Sequence, residues 1–179
     1  HLNDATGSGG GLCSDLGSQP LLDHCTFDHN VTEGVGACMS TIGSMPVTVE
    51  NCILAFGIGG EAVACSGEPD APVLGCSDVF GNEGGDYAGC ISDQMGIRNN
   101  FSADPLFCAE GNPAGPYAVA DNSPCAPENN PECGLVGVRG AGCTILSVNP
   151  EGSGEYPSIQ AAADAASGGD IVLLEPGIY

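Results

Sequence analysis

Cysteines recur along this chain at a nearly constant spacing, and this periodicity constrains the fold more than any other feature of the sequence. One set has intervals of 25 and 27 residues and comprises Cys13, Cys38, Cys65 and Cys90. A second set, with intervals of 27 and 24 residues, falls between them and comprises Cys25, Cys52 and Cys76. Two interleaved sets with one shared period indicate an internal structural repeat.

Each repeat has the pattern of short strands joined by turns. Apolar and polar side chains alternate within residues 22–28 and again within 47–55, and the runs TEGVG, FGIGG and GNEGG that follow are typical of turns. In the first run the expected faces are Leu22, His24, Thr26 and Asp28 on one side, with Cys25 and Phe27 on the other. Residues 1–150 show no helical periodicity. We therefore predict an all-β solenoid whose coils, each about 25 residues long, share one core.

Three segments together resemble a known family. The run GGGLCSDLGSQPLLDHCTFDHN (9–30) is similar to the coils of secreted bacterial right-handed parallel β-helix proteins, in the pectin-lyase-like superfamily. Residues 99–143, with ADPLF, SPC and GLVG, look like the closing segment of such proteins, and 156–179 looks like their N-terminal cap helix and first strand. The resemblance implies a right-handed parallel β-helix with one short capping helix near the C-terminus.

The chain divides into four parts on this basis. The predicted boundaries are 1–98 for the coils, 99–143 for the closing segment, 144–155 for a linker and 156–179 for the cap helix and first strand of a next or neighbouring solenoid. Within the cap, Ser158 is the expected N-cap and Gly168-Gly169 the expected end of the helix. The expected buried stripe comprises Ile159, Ala162, Ala163 and Ala166. Residues 170–174 are the expected strand, and 175–177 its turn.

The order of these parts departs from the family, because an opening cap follows a closing segment. Three interpretations remain open: one period of a longer tandem protein, a strand donated to a neighbouring subunit, or a truncation boundary. In the second, the strand would pair beside residues 1–11 of an adjoining copy, as exposed strand edges do. The expected assembly residues are Asp170, Ile171, Val172, Leu173, Leu174 and Tyr179.

Charge limits the partners. The 23 acidic residues outweigh two basic ones, Arg98 and Arg139, which gives a formal net charge of -21. A nucleic acid or an anionic membrane needs a basic surface, so both are unexpected partners, as are polyuronates. No apolar run has the length of a membrane span, so no direct membrane insertion is expected. No cofactor is expected except calcium, for which the candidate ligands are Asn82, Glu83, Asp86 and Asp93. Diffuse counterion binding is the alternative.

Eleven cysteines indicate an oxidising compartment, and hence an extracellular or cell-surface protein. The family resemblance implies a secreted protein of bacterial type. Stacked coils are about 4.8 Å apart, within the range of a disulfide. Axial bonds Cys13–Cys38, Cys65–Cys90 and Cys25–Cys52 are therefore feasible, and Cys125–Cys133 is the most local pair. Cross-coil bonds are equally open, and Cys76, Cys108 and Cys143 complete the candidates. Because the number is odd, at least one thiol is free or bonds another chain.

No catalytic site is expected. Asp23 and Asp28 lie close together in one coil beside His24 and His29, but no carboxylate pair recurs with a basic partner. The interpretation we favour for these residues is a solvated polar surface. The triplets NVT at Asn30 and NFS at Asn100 match the glycan acceptor pattern and are weak candidates for glycosylation.

The predicted function is structural. We expect a subunit of an extracellular or cell-surface fibre or adhesin that assembles head to tail with copies of itself through the C-terminal cap helix and strand. Glycans are a further candidate partner. The alternative is a carbohydrate-binding or polysaccharide-cleaving β-helix whose active coils are outside this chain. The fold alone does not decide between them, because one scaffold hosts many functions.

Overall fold

The computed structural model describes residues 3–43, 46–67, 70–149, 151 and 154–179. Within these ranges the chain forms fifteen short strands, two 3-10 turns and one α-helix. In chain order they are β1 (Asp4–Ala5), β2 (Leu12–Asp15), β3 (Leu21–Asp23), β4 (Thr26–Asp28), β5 (Val31–Thr32), β6 (Met39–Ile42), β7 (Thr48–Glu50), β8 (Ile53–Ala55), β9 (Val63–Cys65), β10 (Val73–Gly75), β11 (Asp78–Phe80), the turns Gly89–Ile91 and Ile97–Asn99, β12 (Val119–Ala120), β13 (Ala141–Cys143), β14 (Ile145–Val148), α1 (Ile159–Ala165) and β15 (Ile171–Leu174).

The strands stack into a parallel β-solenoid, which confirms the predicted fold class. Three coils each contribute one strand to each of three sheets, ordered β2-β6-β9, β3-β7-β10 and β4-β8-β11, and every pair within them is parallel. We call these coil 1 (9–30), coil 2 (36–57) and coil 3 (61–82). A fourth layer continues the stack without regular strands, since Phe101 bridges to Asp78.

The core is a set of apolar columns that run along the solenoid axis. Each coil places equivalent side chains inward, one above the other, and the three columns are Leu12, Met39 and Val63; Leu22, Val49 and Leu74; and Phe27, Leu54 and Val79. The members from coils 2 and 3 are fully buried. Because a single coil cannot bury its own apolar face, stacking is what stabilises each layer.

Left-handed bends break each predicted strand in two, so the faces expected for residues 22–28 and 47–55 are wrong. His24 and Asn51 occupy equivalent positions, with φ of 52° and 53°, and Cys76 follows them in coil 3 at 47°. Each bend turns the chain between two sheets. Leu22 therefore packs inward together with Phe27 instead of opposite to it.

The closing segment covers a lateral surface of the solenoid. It crosses the outer surface of the β4-β8-β11 sheet, where the Gly137 N–H donates to the Asn51 carbonyl at 2.7 Å and the Val138 N–H to Thr26 Oγ1 at 3.1 Å. Gly137 is required there, because its φ is +88° and a Cβ would lie 2.5 Å from Ile53 Cδ1. The segment encloses a second core, comprising Ile53, Ala55, Val119, Cys125, Ala126 and Val136.

Residues 144–179 form a small unit of their own, the cap unit. The predicted linker 144–155 contains β14, which pairs in parallel with β15; Pro150, Gly152 and Ser153 of that linker lie outside the described residues. Helix α1 packs on both strands through Ala162, which is buried with Leu146 and Val148. Ala166 adds a partly buried contact, but Ile159 and Ala163 are exposed, so half of the predicted stripe is wrong.

The predicted N-cap is confirmed, since Ser158 Oγ accepts from the Ala161 N–H at 3.2 Å. We expect Ser158→Ala to destabilise the cap unit by about 1 kcal/mol, because one N–H of the first turn loses its partner. Hydrogen exchange of the α1 amides would measure this. Ser167→Ala is the matched control, because the exposed Ser167 side chain accepts no capping bond; equal protection factors in both variants would contradict the assignment.

Candidate functional site

Coil 1 presents an incompletely covered core. Its inward side chains are only half-buried, and they are Leu12, Leu22, Cys25 and Phe27. The residues directly beneath them in coil 2 are 0% exposed, and they are Met39, Val49, Cys52 and Leu54. Strands β2, β3 and β4 are also terminal in their sheets, so their outer backbone groups have no strand partner among the described residues. We call this surface the open face.

The cap unit at the other end of the sequence also exposes apolar side chains. Leu173 is 49% exposed and Ile178 is 94% exposed. A cleft of about 400 Å³ lies beside them, between the start of α1 and the C-terminal residues, and is lined by Pro157, Ile159 and Tyr179 among others. Exposed apolar surface of this kind, beside an unpaired strand edge, is typical of an interaction site.

The assembly strand folds back onto its own chain, which corrects the expectation that it would be free for donation. Strand β15 pairs with β14 in continuous register from Ile145–Ile171 to Val148–Leu174, and Tyr179 Oη donates to the Val148 carbonyl at 2.7 Å. Asp170 fixes the start of β15, because its carboxylate accepts from the Thr144 and Ser167 N–H groups, both at 2.8 Å. These two bonds hold the pKa of Asp170 below its ordinary value. One edge of β15 is thus paired with β14, and its other, outer edge has no strand partner among the described residues.

The carboxylates of coil 1 do not converge. Asp23 ends β3 and Asp28 ends β4, and the bend at His24 separates the two strands into different sheets. Asp23 accepts from Asn51 Nδ2 at 3.1 Å, and this bond is the main cause of its lowered pKa. Asp28 contacts His29 Nδ1 at 2.7 Å. The two carboxylates therefore lack the shared substrate position that paired acid–base chemistry requires.

The four calcium candidates do not form one site. Asn82 uses its amide within the protein, and Asp86 accepts from both the backbone and the side-chain nitrogen of Asn82 at 2.8 Å. Glu83 accepts from the Gly59 N–H, and Asp93 is exposed in the turn region. Among the described residues, no three His, Cys, Asp or Glu side chains come together as a metal site would require. The side-chain oxygens of Asn82, Glu83 and Asp86 accept hydrogen bonds within the protein.

Six cysteines form three disulfides, and the pairing differs in part from the expected ladder. Cys65–Cys90 is formed as predicted, whereas Cys133 bonds Cys76 instead of Cys125, and Cys108 bonds Cys143. Cys13 and Cys38 stay free because the register places Cys13 opposite Ser40. Cys25 and Cys52 are stacked but are free thiols, as is Cys125. Burial raises the pKa of the Cys38 and Cys52 thiols to about 12, so neither has thiolate character.

Both glycan candidates are buried. Asn30 is 4% exposed and Asn100 is 3% exposed. Asn100 Nδ2, the atom that would carry the sugar, donates to the Leu74 carbonyl at 3.0 Å, and its Oδ1 accepts from the Ser77 N–H. A glycan on either side chain would not fit the folded protein, so this expectation is wrong for the folded state.

Asn82 is a structural residue whose role the sequence pattern did not reveal. Its Oδ1 accepts from the Gly57 N–H at 2.9 Å, and its Nδ2 donates to the Leu54 carbonyl at 3.1 Å. These bonds link coil 3 to coil 2 inside the bend that follows the β4-β8-β11 sheet. The sequence signal for this role is the position of Asn82, which directly follows Gly81. Gly81 forms the left-handed bend after β11, as His29 does after β4 and Phe56 after β8.

Asp78 is the second residue that the pattern did not single out. It points outward from β11 but is fully covered by the closing segment, where its Oδ1 accepts from the Ala103 N–H and its Oδ2 from Cys125 Sγ. Burial raises the pKa of Asp78 to about 7. Burial, and to a smaller extent the nearby Asp78 carboxylate, raise the pKa of the Cys125 thiol above its ordinary value. The carboxyl group is thus a neutral acid in mildly acidic solution.

Comparison of this chain with protein-family models, with curated proteins and with solved structures finds no match. The parallel β-solenoid is shown by the strand pairing alone. Membership of the pectin-lyase-like superfamily and bacterial origin remain predictions from the motifs. No helix in the described ranges combines the length and the apolar character needed to cross a membrane.

Proposed function

We propose that this protein is a structural subunit that assembles head to tail, with the cap unit of one copy seated on the open face of the next. The observation that carries the proposal is the exposure of the coil 1 side chains, whose coil 2 counterparts are fully buried. Another strand-bearing layer on coil 1 would bury them in the same way as coil 2 is buried. Apolar area removed from water contributes about 25 cal/mol per Å².

The cap unit has the features that such a layer needs. Its outer strand edge is unpaired in the described residues, and apolar side chains surround that edge. Strand pairing supplies backbone hydrogen bonds, while side chains in apolar pockets supply specificity. Because β15 is already held by β14, the cap unit would dock as a folded body and not as a donated strand. A contact between two different surfaces that does not close into a ring produces a filament.

An extracellular or cell-surface location is part of the proposal. Three disulfides support an oxidising environment. Cys65–Cys90 fastens coil 3 to the fourth layer, Cys76–Cys133 fastens coil 3 to the closing segment, and Cys108–Cys143 cross-links the closing segment itself. Such covalent links between layers suit a fibre exposed to pulling and to proteases.

We expect the protein to form filaments, and more readily at higher salt. Each copy carries a formal net charge of -21, so copies repel one another at low ionic strength. Salt shortens the range of that repulsion to about 8 Å near physiological ionic strength. Sedimentation velocity and negative-stain electron microscopy across a salt series would measure assembly directly.

Substitutions at the two ends sharpen this test. Leu174→Lys on the cap unit and Leu21→Lys on coil 1 should each shift the chain to monomer, because each places a charge in the proposed contact. Ile97→Lys is the matched control, since Ile97 is similarly exposed but lies in the turn Ile97–Asn99 of the fourth layer, outside coil 1 and the cap unit. A wild-type chain that stays monomeric at about 100 µM and high salt would overturn the proposal, as would equal effects of all three substitutions.

A further inference from the structure

A cleft of about 390 Å³ lies between the end of β4 and the closing segment. Its lining combines two aromatic rings, Phe107 and Tyr117, with two carboxylates, Asp28 and Glu110. Asp28 lies in β4, next to Phe27 of the open face, whereas the two rings and Glu110 lie in the closing segment. The cleft therefore adjoins the open face, but none of the inward side chains of coil 1 lines it.

The two aromatic rings form a corner. The Phe107 and Tyr117 ring centroids are 5.9 Å apart and their planes meet at 71°. Phe56 extends the group, at 6.4 Å from Phe107, and His29 packs 5.1 Å from Phe56. Two rings at a steep angle do not provide the flat platform on which a sugar ring stacks. A corner of rings instead surrounds a compact group from two sides, as aromatic cages do.

The frame around this corner is fixed. Cys108, which lines the cleft, is bonded to Cys143. Asn112 is buried, its Oδ1 accepts from the Ala114 N–H, and its Nδ2 donates to the Gly142 carbonyl at 3.1 Å. A disulfide and a saturated amide limit rearrangement, so a ligand would meet a preformed cleft.

The charged side chains that line the cleft are both carboxylates. Asp28 bonds His29 through Oδ1 only, and Glu110 is exposed and makes no hydrogen bond or ion pair in the described part of the chain. Neither arginine lines the cleft, and Arg139 packs against Gly115 beside it. An anionic ligand would meet two carboxylates, whereas a cation would be attracted by both. The Asn112 amide is not free to donate to a neutral sugar.

Together these features select the class of ligand. A hard metal ion requires several converging oxygens, and no such group of three occurs among the described residues. A cation with apolar substituents satisfies both the rings and the carboxylates, because aromatic faces attract positive charge and bury alkyl groups. We propose that this cleft binds the alkylammonium group of a small molecule. The charge supplies the attraction, and the ring corner supplies the selectivity for alkylated nitrogen.

Choline and its neutral isostere 3,3-dimethylbutan-1-ol provide the matched probes. Titration monitored by the ring resonances of Tyr117 and His29 should show saturable binding of choline and at least about tenfold weaker binding of the alcohol. Glu110→Gln and Asp28→Asn should each weaken choline binding about three- to fivefold, since each removes one partly exposed charge. Tyr117→Leu should weaken it about tenfold.

The control is Glu175→Gln, which makes the same charge change in the cap unit. It should leave the affinity for choline within about twofold of the wild-type value, because Glu175 does not line the cleft, its carboxylate accepts from Asn149 Nδ2 within the cap unit, and salt screens exposed charges outside the site. Three results would overturn the proposal: equal binding of choline and the alcohol, equal weakening by Glu175→Gln and Glu110→Gln, or no saturable response to choline up to about 50 mM. The two carboxamide variants keep the size of the native side chains, so their effects report on charge.

Discussion

Asp78→Asn is expected to stabilise the protein at pH 8 by up to about 4 kcal/mol and to leave its stability at pH 4 almost unchanged. The native carboxyl is 0% exposed beneath the closing segment, and its pKa is raised from an ordinary value of 3.8 to about 7. Its ionisation in the folded state therefore has a large free-energy cost. An asparagine retains an acceptor for the Ala103 N–H and carries no charge.

The direction of the pH effect follows from proton binding. Between about pH 4 and pH 7 the folded protein holds a proton on Asp78 that the unfolded chain has lost. Stability therefore falls as the pH rises through this window, and above it the loss is complete. The groups that face the carboxyl are Cys125, Asp86, Asp104 and Tyr87, and none carries a positive charge that would lower its pKa. The Asp78→Asn variant should lose this portion of the pH dependence.

Urea unfolding at pH 4, 6 and 8 would measure the difference between the two proteins. Asp121→Asn is the control, because Asp121 is exposed and its replacement reduces the net charge by the same amount. If the two variants gained equal stability, relief of general repulsion would explain the result and the buried carboxyl would not. A gain of the same size at every pH would also contradict the assignment.

The repeat was sufficient to predict the solenoid. Cys25 and Cys52 mark equivalent positions in successive coils and lie one above the other along the axis, whereas Cys76 is one residue out of step and lies in the column of Asn51. A period of about 25 residues, with turns at each end, leaves few alternatives to stacked parallel strands. Local capping chemistry was also readable, because the Ser158 cap depends only on its neighbours in sequence.

Positions of the bends were not predictable from turn composition. Glycine-rich runs such as FGIGG predict turns, but His24, Asn51 and Phe56 adopt left-handed φ values without being glycine. Such conformations are uncommon outside glycine, and asparagine is among the exceptions. Stacking of equivalent bends, coil upon coil, stabilises a local conformation that no single turn would favour. Only tertiary packing reveals it.

Long-range contacts account for the remaining errors. The route of the closing segment across the β4-β8-β11 sheet depends on contacts such as Gly137 with Ile53, which are far apart in sequence. It also determines that Cys133 meets Cys76. The pairing of β15 with residues 145–148 was not predicted, because these residues were expected to form a linker; in the structure their burial alternates as in a strand. The two candidate sites, which are the open face and the cleft lined by Phe107 and Tyr117, likewise depend on contacts that only the fold brings together.

Asn82→Ala is expected to destabilise the protein by about 4 kcal/mol, because it removes one side chain that satisfies several buried backbone groups. The Gly57 N–H and the Leu54 carbonyl would lose their partner, and Asp86 would lose one of its two donors from Asn82. Each buried group left unpaired costs about 1–3 kcal/mol. The cavity left by the amide adds to this cost.

Denaturant unfolding at constant pH would measure the loss, and hydrogen exchange would locate it. Protection should fall most at Gly57 and at the amides that join coil 2 to coil 3, since these layers share the Asn82 bonds. Asn122→Ala is the control, because Asn122 is exposed and its amide bonds no described residue. A loss below about 1 kcal/mol in Asn82→Ala would mean that water replaces the amide inside the bend, and the bend would then owe its stability to stacking alone.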